Sequence, residues 1–185
     1  MQYAENLRPV ELSEIKEMAK KTDCNRIYVH WTGAKYGEIY SEYHVSIDYN
    51  GKIYLPFNCH DFDIYRAGTY MRNTGSINIA LCGCYDACAN NGYNLTMGSN
   101  PITEKQIETV ALVVATICKY ANIDIDDVLT HCEIAKIDGY GPYSGDPETK
   151  WDLWFLPDSA QGGKMVNGGD VIRGKARWYS NNYNL

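Results

Sequence analysis

The clearest periodicity along the chain is helical and covers residues 104–121. Ile107, Val110, Ala111, Val114, Ile117 and Cys118 fall on one face, and Thr103 with Gln106 has the spacing of a capping box. A shorter helical pattern spans residues 10–21, where Leu12, Ile15, Met18 and Ala19 share a face, and the charged stretch 1–20 reads as helical. Residues 23–25 break it. Strand-type runs are short: 26–29, 43–48, 52–55, 76–82 and 128–130. Two of them, 43–48 and 52–55, are joined by Tyr49-Asn50-Gly51, and Asn-Gly between β-formers predicts a hairpin because both residues accept positive φ. Residues 139–149 are rich in Gly, Pro and Asp and read as a loop, and residues 162–185 as a polar tail with scattered aromatics. No repeat or linker divides the chain. The order strand, hairpin, strand, helix, strand predicts an α/β (α+β) class, with a central mixed β-sheet flanked by helices in one domain over residues 1–185.

A hydrophobic share of 45% against 22% charged residues excludes a disordered chain. The net charge of −6 supplies no basic field, which argues against nucleic acid or an anionic membrane as partner. A local cleft for an anionic polymer is compatible with that charge. The longest apolar run, 110–118, is far too short to span a bilayer, and residues 1–20 lack the apolar core of a signal peptide. The expectation is a protein made in the cytoplasm without a transmembrane segment. Seven cysteines, an odd number without a secretion signal, read as reduced thiols, several of them buried. Cys82, Cys84 and Cys88 raise the alternative of a second metal site, against which stands the absence of paired C-x-x-C spacing.

A lone histidine such as His60 reads as a surface or core residue. His30 and His131 differ by position: each directly follows a short β-run, so a sheet would bring both imidazoles to one edge. Neutral imidazole is the commonest protein ligand for zinc, and a catalytic site takes three protein ligands and leaves a fourth position for water. The third ligand must then come from the following loop. Asp152, between Trp151 and Leu153, is the best candidate, since its apolar flanks would anchor it and dry the site.

The segments "IYVHWTG", "YHVSIDYNGKIY", "TGSINIALCG", "LTHCEIA" and "KWDLWFLP" occur in this order over residues 26–157. Together they resemble the zinc N-acetylmuramoyl-L-alanine amidases, a superfamily of phage lysins, bacterial wall-recycling amidases and animal peptidoglycan-recognition proteins. The resemblance implies a peptidoglycan-recognition-protein-like fold. It implies a Zn²⁺ ion held by His30, His131 and Asp152, with Lys150 and Tyr43 as catalytic residues. The implied reaction is hydrolysis of the amide between N-acetylmuramic acid and L-alanine in peptidoglycan. The tail 158–185 contains "GGDVIRGKARWY", which is similar to the ends of phage endolysins. That implies a monomeric endolysin held in the host cytoplasm until the membrane is breached, then acting on the wall from the periplasmic side. A cytoplasmic recycling amidase, a non-catalytic peptidoglycan-binding module and a peptidase acting within the stem peptide stay open as alternatives.

Several positions carry two readings. Successive strand residues point to opposite faces, so Tyr43 and His44 cannot both reach the metal; Tyr43 is assigned to the site and His44 to packing or a supporting hydrogen bond. Where some recycling amidases of the family place a glutamate near the "IALCG" strand, this chain has Ala80 and Cys82 nearby. Arg66 replaces a histidine often found in the family, and reads either as a cation for a stem-peptide carboxylate or as a surface arginine. Trp31 and Trp151 read as substrate-binding rings for sugar stacking, or with Trp154 as core. Glu133 reads as a partner behind His131 or as an exposed carboxylate.

Overall fold

The computed structural model describes residues 6–90 and 94–185. In chain order these form β1 (Leu7–Val10), α1 (Leu12–Ala19), β2 (Arg26–Trp31), β3 (Val45–Ile47), β4 (Ile53–Pro56), β5 (Ser76–Leu81), β6 (Cys88–Asn90), β7 (Asn94–Thr96), α2 (Glu104–Ala121), β8 (Val128–Thr130), α3 (His131–Asp138), β9 (Phe155–Asp158), β10 (Lys164–Asn167) and α4 (Gly168–Asn182). Six strands pair into one mixed sheet in the order β1-β4-β3-β5-β2-β8. Within it β2 is parallel to both β5 and β8, and β3 is parallel to β5, while β4 runs antiparallel to β1 and β3. The expected class, a mixed sheet flanked by helices, is the observed one.

Alternation along the strands separates two chemistries. Ile27, Val29, Val45, Ile47, Ile77, Ile79 and Leu81 belong to one buried apolar cluster with Ile107, Val110, Val114 and Ile117 of α2. The residues between them on the central strands, Tyr28, His30, Ser46, Asn78 and Ala80, turn to the other face, and three of these five are polar and nearly or fully buried. Helix α2 keeps the bounds that its periodicity predicts. Thr103 and Gln106 form the capping box, and Asn122 closes the helix in the left-handed region at φ 55°. Gln106 is fully buried, and its amide also donates to the carbonyls of Ile47 and Cys82, both at 3.1 Å, which ties the helix start to the ends of β3 and β5.

The N-terminal stretch departs from its helical reading. Residues 1–5 lie outside the described residues, and Leu7–Val10 pairs with β4 as an edge strand. An edge strand tolerates Pro9 because its missing N–H is not needed by a second neighbour. The polar tail also folds. Residues 164–167 pair with β9, and α4 packs Val171, Ile172 and Ala176 into the main core. Gly168, Gly169 and Gly174 dilute its helix propensity, and its apolar stripe is narrow, which is why periodicity alone misses it. Among the described residues no helix is long and apolar enough to cross a membrane.

Candidate active site

Three parallel strands set the site. The register of β2 on β5 runs from Arg26↔Ser76 to Trp31↔Leu81, so His30 lies inside the strand rather than after it. The six-residue length of β5 extends the ladder past the run that sequence alone marks. Because Val29 faces the helix-covered core, His30 faces away from it, and it is 1% exposed. On the other side β8 ends at Thr130, whose hydroxyl accepts from the Glu133 N–H at 3.3 Å, making His131 the first residue of α3. Asp152 comes from the turn before β9 and is buried. The C-terminal ends of parallel strands face loops that are free to carry chemistry, and here they bring residues 30, 131 and 152 together.

The donor atoms converge. His30 Nδ1 lies 3.2 Å from His131 Nδ1 and 3.7 Å from one Asp152 oxygen, and His131 Nδ1 lies 3.2 Å from the other. Among the described residues these three are the group whose ligand atoms could hold a metal ion. The set fits a tetrahedral zinc on two counts. Bonds of about 2.0–2.1 Å separate tetrahedral ligand atoms by roughly 3.3–3.4 Å, close to the 3.2 Å of His131 Nδ1 from both His30 Nδ1 and its nearer Asp152 oxygen, with His30 Nδ1 wider at 3.7 Å from the second oxygen. The tautomer of His30 is also set for it. The Asn78 side-chain amide donates to the Arg66 carbonyl at 3.2 Å, so its oxygen faces His30 Nε2 at 3.0 Å and accepts a hydrogen bond from the Nε2–H. That leaves Nδ1 as a bare lone pair pointing at the other two donors. That lone pair faces a carboxylate oxygen of Asp152 at 3.7 Å, a repulsion that a cation between them relieves.

Electrostatics favour the same state. Burial pushes the His30 imidazole down to about 4, against the pull of Asp152, so the ring is neutral at pH 7. Burial pushes the Asp152 carboxyl up, but contact with His131 and His30 outweighs it and holds the group below the usual carboxylate range. The site therefore presents a carboxylate beside a neutral His30 ring.

Around this centre the structure sorts the remaining candidates. Tyr43 and His44 lie in the bend before β3, whose first residue is Val45. The Tyr43 ring stands 5.2 Å from that of His30, and burial, with Asp152 next, pushes its hydroxyl up to about 12. His44 is fully buried, accepts from the Asn78 backbone N–H through Nδ1 at 2.9 Å and donates to the Ile64 carbonyl through Nε2 at 2.7 Å. It thus supports the strand residue that orients His30. Lys150 is half-exposed with its ammonium 3.7 Å from Glu148, and it lines a cleft with Trp31, Trp151, Cys84 and Asp152. The two indoles meet edge to face at 5.0 Å. Trp154 is buried and stacked on Phe155, with Lys136 over its ring, so it serves packing.

Arg66 does not stand free for a carboxylate: its guanidinium donates to the Ser41 carbonyl and to Asn58, strapping two loops together. Glu133 is not an exposed carboxylate either. It pairs bidentately with Arg173 of α4 at 2.8 and 2.9 Å. Ala80 sits opposite His30 in the register and brings no carboxylate to the site. Cys82 is buried with Leu7, Ile39 and Tyr54, Cys84 belongs to the main core, and Cys88 is exposed, so the three do not gather around one point. Burial pushes the Cys82 and Cys84 thiols to about 12, which keeps them protonated. Among the residues that sequence reading missed are Asn78 and Arg173. The first had a signal, a polar residue in the apolar run "SINIAL"; the second had none.

A family model described as N-acetylmuramoyl-L-alanine amidase matches residues 18–149, more than half of the chain. This chain belongs to that family. The matched span holds His30, Tyr43 and His131 and stops one residue before Lys150. Solved structures similar to this amidase-family chain include the N-acetylmuramoyl-L-alanine amidase LysC from Clostridium intestinale URNW, at 16% identity and a TM-score of 0.45 over 72% of this chain and 81% of that one. A mutant of PlyL aligns at 17% identity and a TM-score of 0.47 over 84% of this chain and 86% of that one. No curated protein sequence matches significantly. Family membership carries peptidoglycan amidase activity as the coarse function of the chain.

Proposed function

We propose that the chain is a zinc-dependent hydrolase that cleaves the amide between N-acetylmuramic acid and L-alanine, working as a phage endolysin. In this reading it waits in the host cytoplasm and reaches the wall once the membrane is breached, as a single amidase domain. The observation that carries the zinc assignment is the meeting of His30 Nδ1, His131 Nδ1 and the two oxygens of the Asp152 carboxylate, one oxygen 3.7 Å from His30 and the other 3.2 Å from His131, with His30 Nε2 committed to Asn78.

Zinc, when bound, supplies a Lewis acid that brings the pKa of a coordinated water to about 7 and polarises a carbonyl. The protein's own groups do the rest. Asn78 and Thr69, whose hydroxyl lies 3.5 Å from His30 Nε2, hold the His30 ring in place. Tyr43 keeps its proton at neutral pH, so it acts as a hydrogen-bond donor that orients the attacking oxygen or the oxyanion and helps pass a proton to the leaving amine. Lys150, on a half-exposed and flexible side chain, leaves Glu148 to meet the negative charge that develops on the scissile carbonyl oxygen. Trp31 and Trp151 form an apolar wall beside Asp152 against which a sugar ring can rest.

Purified protein tests this directly. It is expected to contain about one zinc per chain, to lose wall-degrading activity on chelation and regain it with zinc. Mass spectrometry of digested wall is expected to show free stem peptides and peptide-free glycan strands. Cleavage within the stem peptide, or activity unaffected by complete metal removal, refutes the reading. Assaying intact wall against soluble wall fragments separates a lysin from a recycling enzyme. Tyr43→Phe is expected to slow turnover more than His44→Ala slows it at equal zinc loading, because Tyr43, unlike His44, presents a hydroxyl on the metal side of His30. The reverse ranking removes Tyr43 from the chemistry.

A further inference from the structure

We infer that the start of α4 is a positioning clamp for the metal site, with Arg173 and the Gly168-Gly169 pair holding the segments that carry His131 and Asp152; this rests on the zinc reading above. Gly168, Gly169 and Arg173 lie beyond the span that the family model matches.

Arg173 brackets the first segment. Its Nη1 donates to the Val128 carbonyl at 2.9 Å and to Glu133 Oε2 at 2.9 Å, and its Nη2 donates to Glu133 Oε1 at 2.8 Å. Val128 begins β8, and Glu133 is the third residue of α3, so one planar guanidinium grips both sides of His131. Glu133 Oε2 also accepts from the Thr130 N–H at 2.8 Å, which pins the carboxylate from a second direction. The ion pair is shielded, with 11% and 16% side-chain exposure, and a shielded bidentate pair holds its geometry far better than a surface one.

The glycines let α4 come close enough to do this. A Cβ at Gly169 would collide with the Glu133 carboxylate, which has no free direction in which to yield. Gly168 contacts the second segment: its N–H donates to the Trp154 carbonyl at 3.0 Å, and a Cβ there would run into the Leu153 carbonyl. Leu153, next to Asp152, sits in the left-handed region at φ 59°, a conformation that persists only where the surroundings impose it. The Cys132 N–H, 3.4 Å from the Asp152 carbonyl, then links the two segments to each other. In this way one helix start fixes two ligands that are 21 residues apart in the chain.

The clamp predicts a defect in metal affinity, separable from a general loss of stability. Lys175, also on α4, pairs with Glu108 of α2 at 2.5 Å and donates to Ser159 past the end of β9, and neither partner lies in residues 128–133 or 152–154, so Lys175→Gln is the control. The full-length apoprotein is titrated with Zn²⁺ against a chromophoric chelator, and its thermal unfolding is measured in parallel. Arg173→Gln is expected to weaken zinc binding about 10–100-fold, as loss of an outer partner typically does, and to shift the visible bands of the Co²⁺-substituted protein. Arg173→Lys is expected to restore part of the affinity, and Lys175→Gln to leave it within about twofold of wild type. Gly169→Ala, which keeps both charges and displaces the carboxylate, is expected to follow Arg173→Gln and serves if that variant does not fold. Zinc affinity unchanged in both Arg173→Gln and Gly169→Ala, or lowered equally by Lys175→Gln, overturns the clamp while leaving the zinc reading intact. A wild-type protein that takes up no zinc overturns both.

Discussion

Asp152→Ala and His30→Ala are each expected to strip zinc from the purified protein and to lower turnover on cell wall by on the order of 10³-fold. The magnitude follows from several kcal/mol of transition-state stabilisation supplied by a catalytic metal, at about 1.4 kcal/mol per tenfold in rate. Two donors remain in either variant, but the charge balance differs. Without Asp152 the remaining set is two neutral rings and no anion to offset a divalent cation in a buried site, so its zinc loss is expected to be the deeper. Without His30 the Asn78 oxygen loses its partner as well, leaving an unsatisfied buried acceptor. Metal content per chain after gel filtration checks both, together with turnover. A variant that still holds one equivalent of zinc removes its residue from the ligand set.

Lys150→Ala is expected to keep zinc and lose about 100-fold or more in turnover, the usual cost of deleting one oxyanion donor. In the resting structure the ammonium stands beside Glu148, and the side chain is half-exposed, so it contributes little to the fold. Zinc affinity and thermal stability should therefore match wild type while kcat falls. Glu148→Ala offers a useful contrast. It frees the lysine from its resting partner, and is expected to leave turnover near wild type, since Glu148 is itself highly exposed and the pair is screened. Near-normal kcat in Lys150→Ala would assign the oxyanion to some other donor.

Both predictions depend on contacts between residues distant in the chain, and these divide what is readable locally from what is not. Local patterning is enough to specify the mixed α/β class, the bounds of the helix at 104–121 and the short strand at 128–130, because capping boxes and residue periodicity are local properties. It also placed two imidazoles beside short β-runs. That His30 lies within β2 follows from strand pairing, since it depends on how far β5 extends the ladder. Strand alternation predicts opposite directions for Tyr43 and His44, yet the strand begins at Val45; a hydrogen bond from the Asn78 N–H to His44 and one from His44 to the Ile64 carbonyl set the direction of His44 instead. Arg66 and Glu133, both ambiguous in sequence, find partners at Ser41, Asn58 and Arg173 that only the packed chain brings near. The glycine-rich start of α4 hides its helix from periodicity for the same reason that it serves the fold: side chains are absent where the backbone approaches Glu133 and Leu153. Local pattern specifies elements, whereas the convergence of donors at one point depends on pairing register and close packing, which no single segment encodes.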